Sequence, residues 1–466
     1  MKKFLLILLS LLIVTPVFAT DLTILHTSDV HGRLEPITYH NMKNVGGAAR
    51  HSYLFKQVRK ENRNTLILDS GDIFQGSIYY QMFKGKLTAD ILKVLKYDAI
   101  ALGNHEFDRG TKELKTLIKK SKTQFLCANI EFSDKELQKL VKPYIIKEFE
   151  GRKILIIGVT TPTLKNLSNS DNVTIYEPIS VVRTIISENT GADCIIVISH
   201  CGYEIDKQIA IANPKINIIF GGHNHLLFER PVQTNGVEII NSGEFGVYVS
   251  NVNYNINTRL GEKNSLTKFE SILIDENIPS DKIVEKKIEK ANKKIEKLKQ
   301  TVLSKTILTF IGEQTEIEKR QTNLGRLVLK SMIYENPYDF VMVNSGSIRI
   351  NRNLTGDITL VDAMEILPFE NKVISGKLQG KYLKEILKYG KLQGRRYLQV
   401  YSKIKNIEDN KEYIVVTNDY IAKGKDGFEP FVNMKNIIPL YESQKDAFID
   451  FLKKNPEITA ETLRMP

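Results

Sequence analysis

Five times along the first half of the chain an apolar run stops at a short polar turn whose side chains can ligate a metal. This recurrence restricts the possible folds more than any other feature. Leu22-Thr23-Ile24-Leu25 leads into Asp29-Val30-His31-Gly32, Thr65-Leu66-Ile67-Leu68 into Asp69-Ser70-Gly71-Asp72, and Ala99-Ile100-Ala101-Leu102 into Gly103-Asn104-His105-Glu106. Later, the run from Ile195 to Ile198 leads into Ser199-His200, and that from Ile216 to Phe220 into Gly221-Gly222-His223-Asn224-His225. With Ile154 to Val159 these runs are rich in Ile, Leu and Val, as strands covered on both faces should be. More helical stretches lie between them, so the grammar is alternating α/β.

The carboxyl ends of the strands in an open α/β sheet line one crevice. Asp29, His31, Asp72, Asn104, His200, His223 and His225 are therefore expected to converge. Seven nitrogen and oxygen donors suit two metals, and imidazole combined with carboxylate favours Zn, Mn or Fe over an all-oxygen calcium or magnesium site. The glycines before Asp72, Asn104 and His223 fit places where the chain turns sharply and its backbone approaches the site. One such piece alone is more often a turn or a cap. Five in order, each after an apolar run, define a site.

At 466 residues the chain is too long for one core, and two domains are expected. Met1-Lys2-Lys3, the apolar run from Phe4 to Val14, and Val17-Phe18-Ala19 have the layout of a secretory signal peptide, with cleavage expected after Ala19. The apolar run is shorter than the ~20 residues that span a bilayer, and stable membrane insertion is not expected. Residues 20–275 then form the first domain, 276–303 a linker helix and 304–466 the second domain. The linker reading rests on Val284, Ile288, Ala291, Ile295, Leu298 and Val302, which fall at alternating spacings of four and three. All eight histidines precede the linker, which confines a histidine-rich metal site to the first domain.

Three cysteines, Cys127, Cys194 and Cys201, are an odd number in or beside strand-like runs, and a packing role is expected for them. The net charge of +12 derives in part from Lys2, Lys3 and the lysine-rich stretch from Asp281 to Lys299. Without an aromatic-interleaved basic patch it argues against a nucleic-acid partner, and a monomer is expected.

Asp29-Val30-His31, Gly71-Asp72, Gly103-Asn104-His105-Glu106-Phe107-Asp108 and Gly222-His223-Asn224-His225 resemble the motifs of calcineurin-like metallophosphoesterases, and more closely those of the secreted 5'-nucleotidase and UDP-sugar hydrolase family. The resemblance implies a first domain built as a β-sandwich flanked by helices. It assigns Asp29, His31, Asp72 and His225 to one metal, and Asp72, Asn104, His200 and His223 to the other. Asp72 would bridge two ions roughly 3.5 to 4 Å apart, and the implied nucleophile is hydroxide held by the metals. His105 matches a histidine that stabilises the phosphoryl transition state, oriented by the counterpart of Asp108. His26, His40 and His51 match none of these motifs and are read as structural.

The resemblance continues through the second domain, a mixed α/β fold that reads the substrate. Gln321-Thr322-Asn323-Leu324-Gly325-Arg326 resembles its opening helix, Asn344-Ser345-Gly346-Ser347-Ile348-Arg349 its glycine-rich nucleotide loop, Leu367-Pro368-Phe369-Glu370-Asn371 its first stacking residue, and Gly424-Lys425-Asp426-Gly427-Phe428 its ribose turn. By that match Phe369 and Tyr420 sandwich the base, Asn344, Arg349, Asn371 and Gly394 contact base, ribose or phosphate, and Asp426 accepts ribose hydroxyls. Stacking tolerates several bases because each offers a π-face. Tyr420 stands where the family usually has Phe, which adds a hydroxyl to satisfy. Glu318 stands where the family often has arginine, with Arg320 nearby as a candidate substitute.

The resulting expectation is an exported 5'-nucleotidase, periplasmic or secreted, that uses two divalent ions, Zn or Mn, on nucleoside 5'-monophosphates, with nucleotide sugars as further candidate substrates. The alternatives are a 2',3'-cyclic phosphodiesterase with 3'-nucleotidase activity and a non-catalytic nucleotide-binding protein.

Overall fold

The computed structural model describes residues 19–170, 172–257, 263–333 and 336–465. The signal-peptide reading falls on residues 1–19, all but the last of which lie outside this range. Among the described residues no helix is long and apolar enough to cross a membrane.

The apolar runs of the first half do form strands, and they are distributed over two facing sheets. One has seven strands in the order Ser265–Leu273, Tyr248–Ile256, Thr20–Thr27, Thr65–Asp69, Ala99–Ala101, Phe125–Leu126 and Val141–Lys142. The other has six, in the order Val232–Thr234, Val237–Asn241, Ile218–Gly221, Cys194–His200, Arg152–Thr160 and Tyr144–Phe149. Alternate residues explain the double burial. Leu22, Ile24, Leu66 and Leu68 pack between the sheets against Ile154, Ile156, Ile196 and Phe220, while Leu25 and Ile67 face the helices Ala48–Glu61, Lys86–Leu95 and Gly110–Ser121. Pro178–Glu188 and Tyr203–Ala212 cover the second sheet through Val182, Ile185, Ile209 and Ala210.

Thr20–Thr27, Thr65–Asp69 and Ala99–Ala101 are parallel neighbours in the first sheet. Arg152–Thr160, Cys194–His200 and Ile218–Gly221 are parallel neighbours in the second. The carboxyl ends of both sets therefore open on one rim of the sandwich. The two long antiparallel strands Tyr248–Ile256 and Ser265–Leu273 extend one edge of the first sheet.

The helix Lys282–Lys299 opens on Asp281, whose carboxylate accepts from the Ile283 amide at 2.8 Å and from Ser52 at 2.6 Å. Its stripe of Val284, Ile288, Ala291 and Ile295 packs into the same core as the first three helices, joined there by Val361 from the second half. Val302 departs from the helical expectation. It begins the strand Val302–Phe310 and pairs with Thr359, so sheet pairing captures it beyond the helix end. The second half is built on a five-stranded sheet in the order Leu398–Ser402, Phe340–Asn344, Glu412–Asn418, Val373–Gln379 and Lys435–Tyr441, with a three-stranded sheet beside it. Its core forms around Leu327, Val343, Ile366 and Phe448.

Candidate active site

The turns at the carboxyl ends of the strands are held in a costly backbone conformation. Asp29 (φ 51°), His31 (51°), Asp72 (58°), His223 (76°) and His225 (58°) all lie in the left-handed region, which side chains other than glycine seldom adopt. Such strain persists only where surrounding bonds over-determine it, and it clusters at functional sites. Here the Asp29 amide donates to the Gly71 carbonyl at 3.0 Å and the His31 amide to the Asp72 carbonyl at 2.9 Å, which stitches the first two turns together.

Glu106 joins the second and third turns. Its carboxylate accepts from the amides of Asp72 (2.9 Å), Ile73 (2.8 Å) and Gly103 (2.6 Å). Burial pushes its pKa up to about 7, with the charge of Asp72 adding to the rise and His200 and the amides opposing it. Gly103 makes the close approach possible. A Cβ there would lie 2.2 Å from Asp72 Oδ1 and 2.6 Å from its amide nitrogen.

All seven expected ligands come together. Asp29, His31 and His225 bring ligand atoms within 4.8 Å of one another, as do Asp29, Asp72 and His200, and His31, Asp72 and His105. His31 Nε2 lies 3.1 Å from His225 Nε2, and Asp72 Oδ2 lies 3.1 Å from His200 Nε2. Asn104 Oδ1 is 3.0 Å from His223 Nδ1 and 3.3 Å from His200 Nε2. Two of the far ring nitrogens have partners: His200 Nδ1 donates to the Ser70 carbonyl at 2.7 Å and His225 Nδ1 contacts the Glu244 carboxylate, whereas His31 Nδ1 is buried without one among the described residues. Such partners fix the ring orientation and turn Nε2 into the cluster. Carboxylate, amide oxygen and imidazole crowded in a buried, strained cradle fit divalent cations, which would relieve the close approach of their lone pairs.

The charges of the cluster act strongly on one another. Burial opposes charge on Asp72, yet His200, His105 and His31 hold it well below the usual carboxylate range. Asp72 in turn pushes His200 up to about 10 against the effect of burial. Burial holds His223 down to about 3, with His200 adding to the effect. His105 Nδ1 bonds Asp108 Oδ2 at 2.8 Å, and although burial opposes its charge, Asp108 and Asp72 raise its pKa.

A cavity of about 260 Å3 opens from this cluster toward the second half of the chain, walled by Asn104, His105 and His223 on one side and by Arg349, Phe369 and Tyr420 on the other. Phe369 lies over His105 with ring centroids 6.5 Å apart and with the Arg349 guanidinium 5.6 Å from its ring. The Tyr420 hydroxyl is satisfied by Asp426 Oδ1 at 2.9 Å, and Asp426 Oδ2 accepts from Asn344 Nδ2 at 2.8 Å. Asn344, Asn371 and Asp426 are on the wall, but Gly394 is not; its neighbour Arg395 is. Arg320 does not take the place vacated at position 318. Its Nε donates to Glu316 at 2.7 Å on the exposed surface, away from the cavity.

Sequence reasoning passed over Glu106, Glu244 and Arg395. Glu106 sits inside a motif quoted for its neighbours, and an acid beside a ligand was the available signal. Glu244 and Arg395 carry no comparable local signal. Of the histidines read as structural, His26 is buried between Ser242 (2.6 Å) and Ser70 (2.8 Å) and His51 bonds the Gly246 carbonyl at 2.8 Å, while His40 is exposed. The three cysteines are buried and unpaired.

The fold and the buried donor set define a metal-dependent phosphoester hydrolase. The sequence pattern of calcineurin-like phosphoesterases matches residues 22–227, and that of the 5'-nucleotidase C-terminal domain matches residues 302–433. The chain belongs to the family that joins these two domains, the 5'-nucleotidases. It is 28% identical to a 5'-nucleotidase of Diplobatis ommata, over 89% of this chain and 84% of that protein. With the 5'-nucleotidase of Homo sapiens it shares 29% identity, over 82% of this chain and 74% of that protein. The crystal structure of a 5'-nucleotidase precursor from Thermus thermophilus superposes with a TM-score of 0.83 at 28% identity, covering 94% of this chain and 97% of that one.

Proposed function

We propose that the protein is an exported 5'-nucleotidase that hydrolyses nucleoside 5'-monophosphates to nucleoside and phosphate with two divalent ions, Zn or Mn. One observation carries the reading: a single cavity has the strained donor cluster at one end and Phe369, Tyr420 and Asp426 at the other. A phosphate and a nucleoside would each find matching chemistry there.

In this reading residues 20–275 hold the metals, through Asp29, His31, Asp72 and His225 on one side and Asp72, Asn104, His200 and His223 on the other. Residues 304–466 hold the nucleoside, and 276–303 join the two. When bound, the ions supply Lewis-acid polarisation of phosphoryl oxygens and activation of water. His105, kept charged by Asp108, donates a hydrogen bond from Nε2 to a phosphoryl oxygen, where a preorganised cation acts most strongly on developing charge. Phe369 and Tyr420 offer faces to the base, Asn344, Asn371 and Arg349 hold polar groups of the nucleotide, and Asp426 accepts from the ribose. Asp426 keeps lone pairs for this beyond those used by Tyr420 and Asn344, because a carboxylate offers about four acceptor sites.

Protein stripped of metal and reloaded with Mn or Zn should release phosphate from AMP, with less turnover of 3'-AMP, 2',3'-cyclic AMP and a nucleotide sugar. Absence of phosphate release from any nucleotide after reloading would overturn the proposal. Dominant turnover of the cyclic substrate would replace it with the phosphodiesterase reading. Detection of the chain beginning at Thr20 outside the cytoplasm tests export.

A further inference from the structure

Five Lys and Arg side chains line the cavity, and four of them are already engaged. Arg109 pairs with Glu370 at 3.4 Å and Lys423 with Asp419 at 2.8 Å, while Lys425 donates to the Lys165 and Ser168 carbonyls. Arg349 donates from Nε to the Gly346 carbonyl at 2.6 Å and lies over Phe369. Among the described residues the fifth, Arg395, has no hydrogen-bond or ion-pair partner for its guanidinium.

The backbone delivers this free cation to the wall. The antiparallel pairing of Asn344 with Leu398 continues past the strand ends, with the Ser345 amide donating to the Tyr397 carbonyl and the Gly346 amide to the Arg395 carbonyl, both at 2.8 Å. Gly394, with φ 96°, makes the turn, and its amide donates to the Glu318 carbonyl at 3.0 Å. Gly346 permits the approach: a Cβ there would meet Arg395 Cβ at 3.2 Å. The next residue goes the other way, since Arg396 is exposed and stacks on Tyr389 at 5.8 Å.

Arg395 and Arg349 repel one another, and the charge of Arg395 also reaches His31 and His223 across the cavity. A cation so placed, facing a cation-binding cluster and a second guanidinium, gains only when an anion lies between them. Guanidinium is the side chain whose fork matches tetrahedral oxyanions. We infer that Arg395 binds the phosphoryl group of the substrate from the side opposite the metal-ligand cluster, and so does the work that neither Glu318 nor Arg320 does. The inference rests on the nucleotidase reading for its substrate, but its chemistry requires only a phosphoryl dianion.

Calorimetric titration of the metal-loaded full chain with inorganic phosphate tests it without turnover. The expected result is a loss of about 10- to 100-fold in phosphate affinity for Arg395→Ala, with partial recovery in Arg395→Lys and none of the loss in Arg396→Ala. The KM for AMP should rise in the same proportion, while inhibition by adenosine stays within about twofold of wild type, because the lost contact is to phosphate alone. Phosphate affinity unchanged in Arg395→Ala overturns the inference. So does an equal loss of adenosine and phosphate binding, which would mark a collapsed wall. Wild-type protein that binds phosphate but releases none from AMP would sink the nucleotidase reading and leave the role of Arg395 to be decided by the titration.

Discussion

Replacing Glu106 by Gln keeps the shape of the side chain and removes its ability to accept from three amides. The amide oxygen can retain the two donors now on Oε2, from Asp72 and Gly103, but the NH2 group then confronts the Ile73 amide. A buried orphaned N–H costs about 1–3 kcal/mol, and the two retained bonds lose their charge assistance at about 1 kcal/mol each. Relief from burying a carboxylate, whose pKa stands at about 7, offsets part of this. The net loss should be about 2–4 kcal/mol, which for a domain of this size lowers Tm by roughly 5–15 °C. The same amides position Asp72 and Asn104, so metal affinity should fall about 10- to 100-fold, the usual effect of losing a partner that supports a ligand. Thermal unfolding with chelator isolates the structural loss, and Zn or Mn titration measures the other. A variant that melts within about 2 °C of wild type under chelation, and binds metal equally well, would refute the claim that Glu106 holds the two turns together.

Burial holds His26 down to about 3 and His51 down to about 4, so both stay neutral in the fold while the unfolded chain protonates near 6.5. Their stabilising effect is complete above that pH and drains away as pH falls, by about 2 kcal/mol per imidazole at pH 5. Urea unfolding of chelated protein at pH 7.5 and 5 should show this, with a shallower pH slope in His51→Gln; an identical slope would show that His51 does not contribute. Asp108→Asn removes the carboxylate that keeps His105 charged, so kcat should fall about 10²- to 10⁴-fold and the alkaline limb of the rate profile should move to lower pH. An unmoved limb would sever the link between the two residues. Gly103→Ala places a methyl against Asp72 and should cost about 1–3 kcal/mol while reducing metal affinity far more than stability. Normal metal binding in that variant would mean the turn can yield.

Much of the site was legible because a metal cluster makes simple demands. Asp29, His31, Asp72, Asn104, His200, His223 and His225 are short polar side chains immediately after apolar runs, and parallel strands carry their ends to one rim whatever the loops do. The strand Thr20–Thr27 could be read from its own residues, since Leu22, Ile24 and Leu25 need cover on both faces. The helix Lys282–Lys299 could be read from its stripe, though its end could not. Val302 continues the apolar rhythm but is taken by pairing with Thr359, a partner far along the chain.

The sequence by itself determined the alternating strand and turn grammar, the candidate donor set and the confinement of every histidine to the first half, because each depends on residue type and short spacing. Only the tertiary structure decided which supporting groups act. Glu106 acquires its role from three amides on two turns, Glu244 from a ring on another loop, and Arg395 rather than Arg320 from an antiparallel pairing of distant strands that brings one guanidinium to the cavity while Glu316 holds the other outside. The physical reason is the reach of a long charged side chain. Its effect depends on where its terminal atoms end and on what charge they meet there, and neither is encoded by its neighbours in sequence.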